Sequence, residues 1–303
     1  MVVSSLVLPG ADSEPPSRLR TIARPVAGRV GFRQHEPMDL QLAGKRALVT
    51  GGSRGIGKAV ARVLSEEGCD VAIAARDPAR LTATAAELGA VTGGRILPVV
   101  VDTGSDESVR AMVAAAADAL GGIDILVNNA AQPGGQQPPP RLAEITDDLF
   151  WADVNVKVLG YLRCAREVAP LMAAAGWGRI VNVSGLAARS TGSTIGSVRN
   201  VSVAALTKNL ADELGPSGIN VTVVHPGLTR TEATPGVFAA RAAASGIEPG
   251  EVEQRMARAT STRRLVDAEE VAWVVAFLAS PRSVAITGDA VVCGGGQPGP
   301  IFY

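Results

Sequence analysis

Arg46-Ala47-Leu48-Val49-Thr50-Gly51-Gly52-Ser53-Arg54-Gly55-Ile56-Gly57-Lys58-Ala59-Val60-Ala61 carries a short β-branched run into a glycine turn and out again into an alanine-rich stretch. Strand, turn and helix in that order is the context that makes a glycine cluster a phosphate-binding loop. Glycine lets the backbone approach an anion closely, and the helix N-terminus supplies unpaired N–H donors and partial positive charge. A glycine turn alone is weak grounds for a ligand site, so the flanking sequence has to decide.

Outward from this stretch the alternation repeats. Runs at Arg46 to Thr50, Val71 to Ala75, Ile96 to Val101, Ile123 to Asn128, Arg179 to Val183, Asn220 to Val224 and Ala290 to Cys293 read as strands. Helical stretches lie at Gly55 to Glu67, Ala79 to Leu88, Asp106 to Leu120, Asp147 to Ala174, Ser197 to Leu214 and Ala268 to Leu278. Short apolar strands alternating with helices build a parallel sheet covered on both faces. The pattern predicts a single α/β domain over residues 39–303, doubly wound and of Rossmann type, with a seven-stranded parallel sheet. Residues 1–38 carry scattered Pro, Gly, Ser and Arg without a period and read as a flexible N-terminal extension. The polar segment at about 228–264 reads as an excursion over the sheet edge, either a lid or a plain surface insertion.

Charge and composition narrow the partners. Lys+Arg and Asp+Glu both number 29, so no overall field gathers nucleic acid or an anionic membrane. No apolar run reaches the roughly 18 residues of a membrane span. Cys69, Cys164 and Cys293 are far apart and odd in number, which suits a reducing cytoplasm, and with His35 and His225 as the only histidines no metal site is expected. A cytoplasmic protein with a small-molecule substrate is the expectation.

Further signals sit at carboxyl ends of strands, where open α/β sheets bind ligands. They are Asp102 after the third strand, Asn128-Asn129-Ala130 after the fourth and His225-Pro226-Gly227 after the sixth. With Leu206-Thr207-Lys208, Gly218-Ile219-Asn220-Val221, Ile286-Thr287-Gly288 and Gly294-Gly295-Gly296, they make residues 40–297 resemble the short-chain dehydrogenase/reductase family. The resemblance implies a nicotinamide dinucleotide, with Gly51, Gly55, Ile56 and Gly57 around the pyrophosphate and Ser53 in the same loop. It also puts Asp102 at the adenine, Asn129 near the ribose, and Pro226, Gly227 and Thr229 on the cofactor. At the end of the second strand a carboxylate would accept from a ribose hydroxyl, whereas a cation would pair with a 2′-phosphate. Ala74-Ala75-Arg76-Asp77 offers a cation first, and Arg76 with Arg54 makes a two-guanidinium clamp suited to phosphate. NADP(H) is therefore favoured over NAD(H); were both arginines merely solvated, Asp77 would serve NAD(H).

The resemblance also shows a departure. In the family, a Tyr in a Tyr-x-x-x-Lys motif supplies the proton that accompanies hydride transfer, and a Ser and an Asn complete the set. Anchored on Leu206-Thr207-Lys208, the Tyr position holds Gly196 and the Lys position Asn200; the chain's tyrosines are Tyr161 and Tyr303. A gapless reading puts the family's Ser on Gly185, with Ser184 one residue early, and a shortened loop would bring in Ser184, Ser190, Ser193 or Thr194. For the Asn, Asn155 follows Val154 in motif-like fashion, while counting without gaps from Thr146 through Gly160 to Pro170 places Lys157 there. If the second register holds, Asn and Lys have traded helices, and Lys157, Ser184 and Asn200 are the catalytic candidates. A lysine partly removed from water loses proton affinity and can donate near neutral pH, whereas one that snorkels to solvent cannot.

Two functions are expected. One is an NADP(H)-dependent oxidoreductase acting on a carbonyl/alcohol pair with an altered proton donor. The other is a dinucleotide-binding protein that keeps the nucleotide site for a structural or regulatory role. Arg199 and the arginines Arg230, Arg241, Arg255, Arg258, Arg263 and Arg264 either recognise an anionic substrate or form ordinary charged faces. The resemblance further implies a homodimer or homotetramer built on the helices at 147–174 and 197–214.

Overall fold

All seven expected strands form in the computed structural model, which describes residues 38–132 and 139–298. They are β1 (Arg46–Thr50), β2 (Asp70–Ala75), β3 (Ile96–Val100), β4 (Ile125–Asn128), β5 (Gly178–Val183), β6 (Ile219–Pro226) and, after the short pair β7 (Thr229–Arg230) and β8 (Val266–Asp267), β9 (Ala290–Cys293). The seven lie in the order β3-β2-β1-β4-β5-β6-β9 with every pairing parallel. Strand order reverses between β1 and β4, so their carboxyl ends open a crevice there. The expected extension at residues 1–38 lies, except for Met38, outside the described residues.

Helices cover both faces of the sheet. On one side α1 (Gly55–Glu66), α2 (Pro78–Thr92) and α9 (Ala268–Ala279) bury Val60, Leu64, Leu81, Val271 and Val275 against Val49, Ile73 and Val127. On the other, α3 (Asp106–Leu120), α5 (Gly160–Ala175) and α6 (Thr194–Leu214) bury Met112, Val168, Met172 and Ala211 against Leu48, Leu126 and Ile180. Removing each such side chain from water stabilises the fold by about 1.5–3 kcal/mol before entropy is counted. No helix among the described residues is long and apolar enough to cross a membrane.

Three departures from the sequence expectation shape the site. The continuous helix expected from Asp147 to Ala174 is interrupted: α4 (Asp147–Val154) passes through a π-helical turn, Asn155–Leu159, before α5. Asn155 O accepts the N–H of Gly160 five residues on, and Arg163 braces this turn by donating to the carbonyls of Asn155 at 3.0 Å and Thr103 at 3.1 Å. β6 runs two residues past the expected end at Val224, so His225 and Pro226 are strand residues. The segment at about 228–264, to which the sequence assigns no helix, folds into α7 (Thr234–Ser245) and α8 (Pro249–Arg258). These close over their own cluster of Phe238, Ala242, Val252 and Leu265, while β7 and β8 pair at the base.

Candidate active site

The glycine turn is shaped by close approach. Gly51 has φ +66° and gives its N–H to Ala74 O at 2.7 Å, and a Cβ on Gly57 would stand 2.2 Å from Gly51 O. Asn129 locks the turn, donating from Nδ2 to the carbonyls of Thr50 at 3.2 Å and Gly51 at 3.1 Å, while Thr50 Oγ1 accepts the N–H groups of Asn129 and Ala130. Asn129 thus lines the crevice with its amide nitrogen committed to the loop. Gly55 N–H, in the first turn of α1, donates to Glu232 Oε1 at 2.8 Å. A carboxylate there stands in for the anion that a helix N-terminus receives.

Around this turn a cleft of about 440 Å³ opens between β1, β2, β4 and the start of α7. Of the expected cofactor residues, Gly51, Ser53, Arg54, Gly55, Ile56, Arg76, Asn129 and Thr229 line it. Asp102 lies between Val101 and Thr103, which line the cleft, and its carboxylate accepts Gly104 N–H at 2.9 Å. Pro226 and Gly227 sit behind Thr229, whose hydroxyl donates to Gly227 O at 3.1 Å. Asp77, the alternative ribose acceptor, also lines the cleft, where it caps α2 at Arg80 N (3.0 Å) and lies beside the Arg80 guanidinium. Arg80 therefore joins Arg54 and Arg76 at the cleft, and it was missed because its spacing from Arg76 is also that of an ordinary helix face. Glu232 and Phe238 were missed as well, since only the fold of residues 228–264 brings them to the glycine turn.

The structure brings Lys157, Ser184 and Asn200 together behind the cleft wall, at 4%, 8% and 3% exposure. Lys157 Nζ donates to Ser184 O at 2.9 Å, and Ser184 Oγ donates to Asn200 O at 3.1 Å. The reason lies in the ladder. Ser184 N–H donates to Val224 O at 2.8 Å, so parallel register assigns Ser184 O the N–H of residue 226, which is proline and has none. Lys157 supplies the missing donor. Asn155, the competing register, points elsewhere and donates to Gly104 O at 3.2 Å.

Charge is unevenly matched at this spot. Burial, followed by the nearby positive charge of Arg199 and opposed by Asp153, pulls the Lys157 pKa down to about 7. Arg199 pairs with Asp153 across α6 and α4. Among the described residues Asn200 Oδ1, Arg199 Nε and His225 Nδ1 are buried polar atoms without a hydrogen-bond partner. Tyr161 offers no substitute acid, because its hydroxyl donates to Val183 O at 2.8 Å and burial pushes its pKa up. Tyr303 lies outside the described residues. Ser190 and Ser193 are also used locally, on Leu186 O and Gly196 N. Arg230, Arg255 and Arg264 are ion-paired on the surface.

Residues 51–297 match a family model described as Enoyl-(Acyl carrier protein) reductase. The short-chain reductase protein NovJ of Streptomyces niveus is 35% identical over 253 residues, which span 83% of this chain and 93% of that protein. Among solved structures, L-sorbose reductase from Gluconobacter frateurii, complexed with NADPH and L-sorbose, superposes with a TM-score of 0.81 at 30% identity, covering 87% of this chain and all of that one (100%). A short-chain dehydrogenase from Burkholderia cenocepacia in complex with NADP follows at 0.71 and 33%, covering 84% of this chain and 98% of its own. By sequence and by fold alike, the chain belongs to the short-chain dehydrogenase/reductase family of oxidoreductases.

Proposed function

We propose that this chain is an NADP(H)-dependent oxidoreductase of a carbonyl/alcohol pair in which Lys157 is the proton source. The nicotinamide, when bound, supplies or accepts the hydride. Gly51, Gly55 and Ile56 would hold the pyrophosphate, and Arg54, Arg76 and Arg80, which line the same cleft, would receive the ribose phosphate. One observation supports the preference for NADP(H): Arg54, Arg76 and Arg80 all line the cleft, against the single carboxylate of Asp77 at the end of β2. The relatives solved with NADPH and NADP agree with it.

One observation carries the proton assignment: a lysine buried to 4% exposure, held on a carbonyl that has no ladder donor and near neutral in its proton affinity. Ser184 O uses one of its N–H groups, which leaves two for a substrate oxygen or a bridging water. A lysine with a pKa near the working pH balances protonation against readiness to donate. Lys157→Met is expected to lower turnover by about a hundredfold or more while leaving NADPH affinity within about twofold. Unchanged turnover would end this role.

A second reading is favoured by one observation, namely that Lys157, Ser184 and Asn200 stand behind the wall of the cleft and not in it. Under that reading the chain binds dinucleotide without turning it over. NADPH fluorescence titration, followed by NADPH consumption across a panel of ketones and quinones, separates the two. Exposed Leu149, Trp151, Val198 and Val201 on α4 and α6 support a homodimer or homotetramer, which a size-exclusion mass measurement tests. The free cysteines Cys69, Cys164 and Cys293 support a reducing, cytoplasmic setting.

A further inference from the structure

His225 is a strand residue at the carboxyl end of β6, and its position follows from register. Val183 pairs with Val224, and Ser184 N–H donates to Val224 O, so Ser184 and His225 stand side by side in adjacent strands about 4.8 Å apart. Side chains at one register level share a face of the sheet. Ser184 directs its hydroxyl to Asn200 on α6, and Val223, two residues before His225, packs with Tyr161 and Val203 on that same side. The imidazole of His225 therefore lies on the α6 face, next to the residue whose carbonyl receives Lys157 Nζ.

The ring is 2% exposed, and its Nδ1 meets no hydrogen-bond partner among the described residues. Leaving a polar atom unpaired in the interior costs about 1–3 kcal/mol. The charged groups that act on it are Arg189 on the turn after β5 and Lys157 on the π turn, and Lys157 in turn faces the Arg199–Asp153 pair that bridges α6 and α4. Burial and then the cations Arg189 and Lys157 push its pKa down to about 4, so the ring stays uncharged through the neutral range.

We propose that His225 is the proton relay that recharges Lys157. The proposal rests on the reading of Lys157 as proton source. After the Lys157 ammonium has given its proton to the substrate oxygen, the neutral amine takes a proton from one ring nitrogen of His225 through a bridging water as the other ring nitrogen accepts one from a second water, whose hydroxide passes out to bulk solvent and is neutralised there. No electrons move, charge is conserved at each transfer, and exchange with water returns the ring to its starting tautomer. In the oxidative direction the same protons run outward.

Ring-¹⁵N NMR tests this directly, because the chain has two histidines and His225→Gln identifies the signals of His225. In the full-length protein the His225 ring is expected to stay neutral down to about pH 5, while its two nitrogen shifts change together with a midpoint of about 7 as Lys157 titrates. That step is expected to vanish in Lys157→Met. In turnover, His225→Gln is expected to lower kcat by about tenfold with KM unchanged within about twofold, and to enlarge the solvent isotope effect on kcat. Ring shifts that ignore the Lys157 titration, or a His225→Gln enzyme with unaltered kcat and isotope effect, would overturn the relay. If the shifts follow Lys157 but Lys157→Met retains turnover, it is the proton-source reading that falls, and the two failures are thereby told apart.

Discussion

The hydroxyl of Ser193 accepts the N–H of Gly196 at 3.1 Å, and the same oxygen stands 2.7 Å from where a Cβ on Gly196 would be. Ser193 is the N-cap of α6, so the start of this helix is built around the absence of a side chain at 196. Putting tyrosine back would drive the cap off. Gly196→Tyr is expected to cost about 1 kcal/mol and lower Tm by about 2–4 °C. The cost should shrink in a Ser193→Ala background, where the cap is already gone, and a double-mutant cycle in thermal unfolding checks it. No gain in NADPH turnover is expected, because Asn200 and not a lysine stands at the following turn.

Stability should report the buried lysine. The Lys157 pKa falls from 10.5 unfolded to about 7 folded, so between those values the unfolded chain binds more protons and stability rises with pH. That contribution is complete above the unfolded value and is lost as pH falls through about 7. Lys157→Met is expected to abolish the rise, so urea midpoints of the two proteins compared from pH 7 to 10 should diverge with pH. Carbonyl reduction, which needs the charged lysine, should decline as pH rises past about 7, and alcohol oxidation should do the opposite.

Glu232 occupies the amide that a pyrophosphate would claim. An anion at a helix N-terminus is worth about 0.3–1 kcal/mol, so relieving the competition in Glu232→Gln is expected to tighten NADPH binding about two- to fivefold. Fluorescence titration measures it; weaker binding would mean that the carboxylate serves the bound state.

Cofactor preference should reside in the guanidinium groups. Arg76→Ala is expected to weaken NADPH binding about tenfold while changing NADH binding by less than about twofold, as befits charge-assisted contacts to a phosphate. Asp77→Ala should instead cost about 1 kcal/mol of stability by uncapping α2, with cofactor preference unaltered. Parallel NADPH and NADH titrations against a thermal melt distinguish the two residues.

Periodicity and turn chemistry act over a few neighbouring residues, which is why so much of the framework could be read from the chain alone. The apolar runs that became β1 to β6 and β9, the glycine turn before α1, and the absence of a Tyr-x-x-x-Lys motif are all local facts. Packing had to decide the rest. Asn155 and Lys157 are two residues apart, one favoured by motif and the other by gapless counting, and only the fold shows Lys157 reaching Ser184 O beyond β5 and Asn155 reaching Gly104 O. Glu232 shows no local pattern that ties it to Gly55, because the folding of α7 and α8 sets their meeting across 177 positions of sequence. The pairing of Lys157 with Ser184 depends on a proline in the neighbouring strand, which withholds one N–H from one carbonyl, and a missing donor has meaning only once parallel register has assigned it a partner.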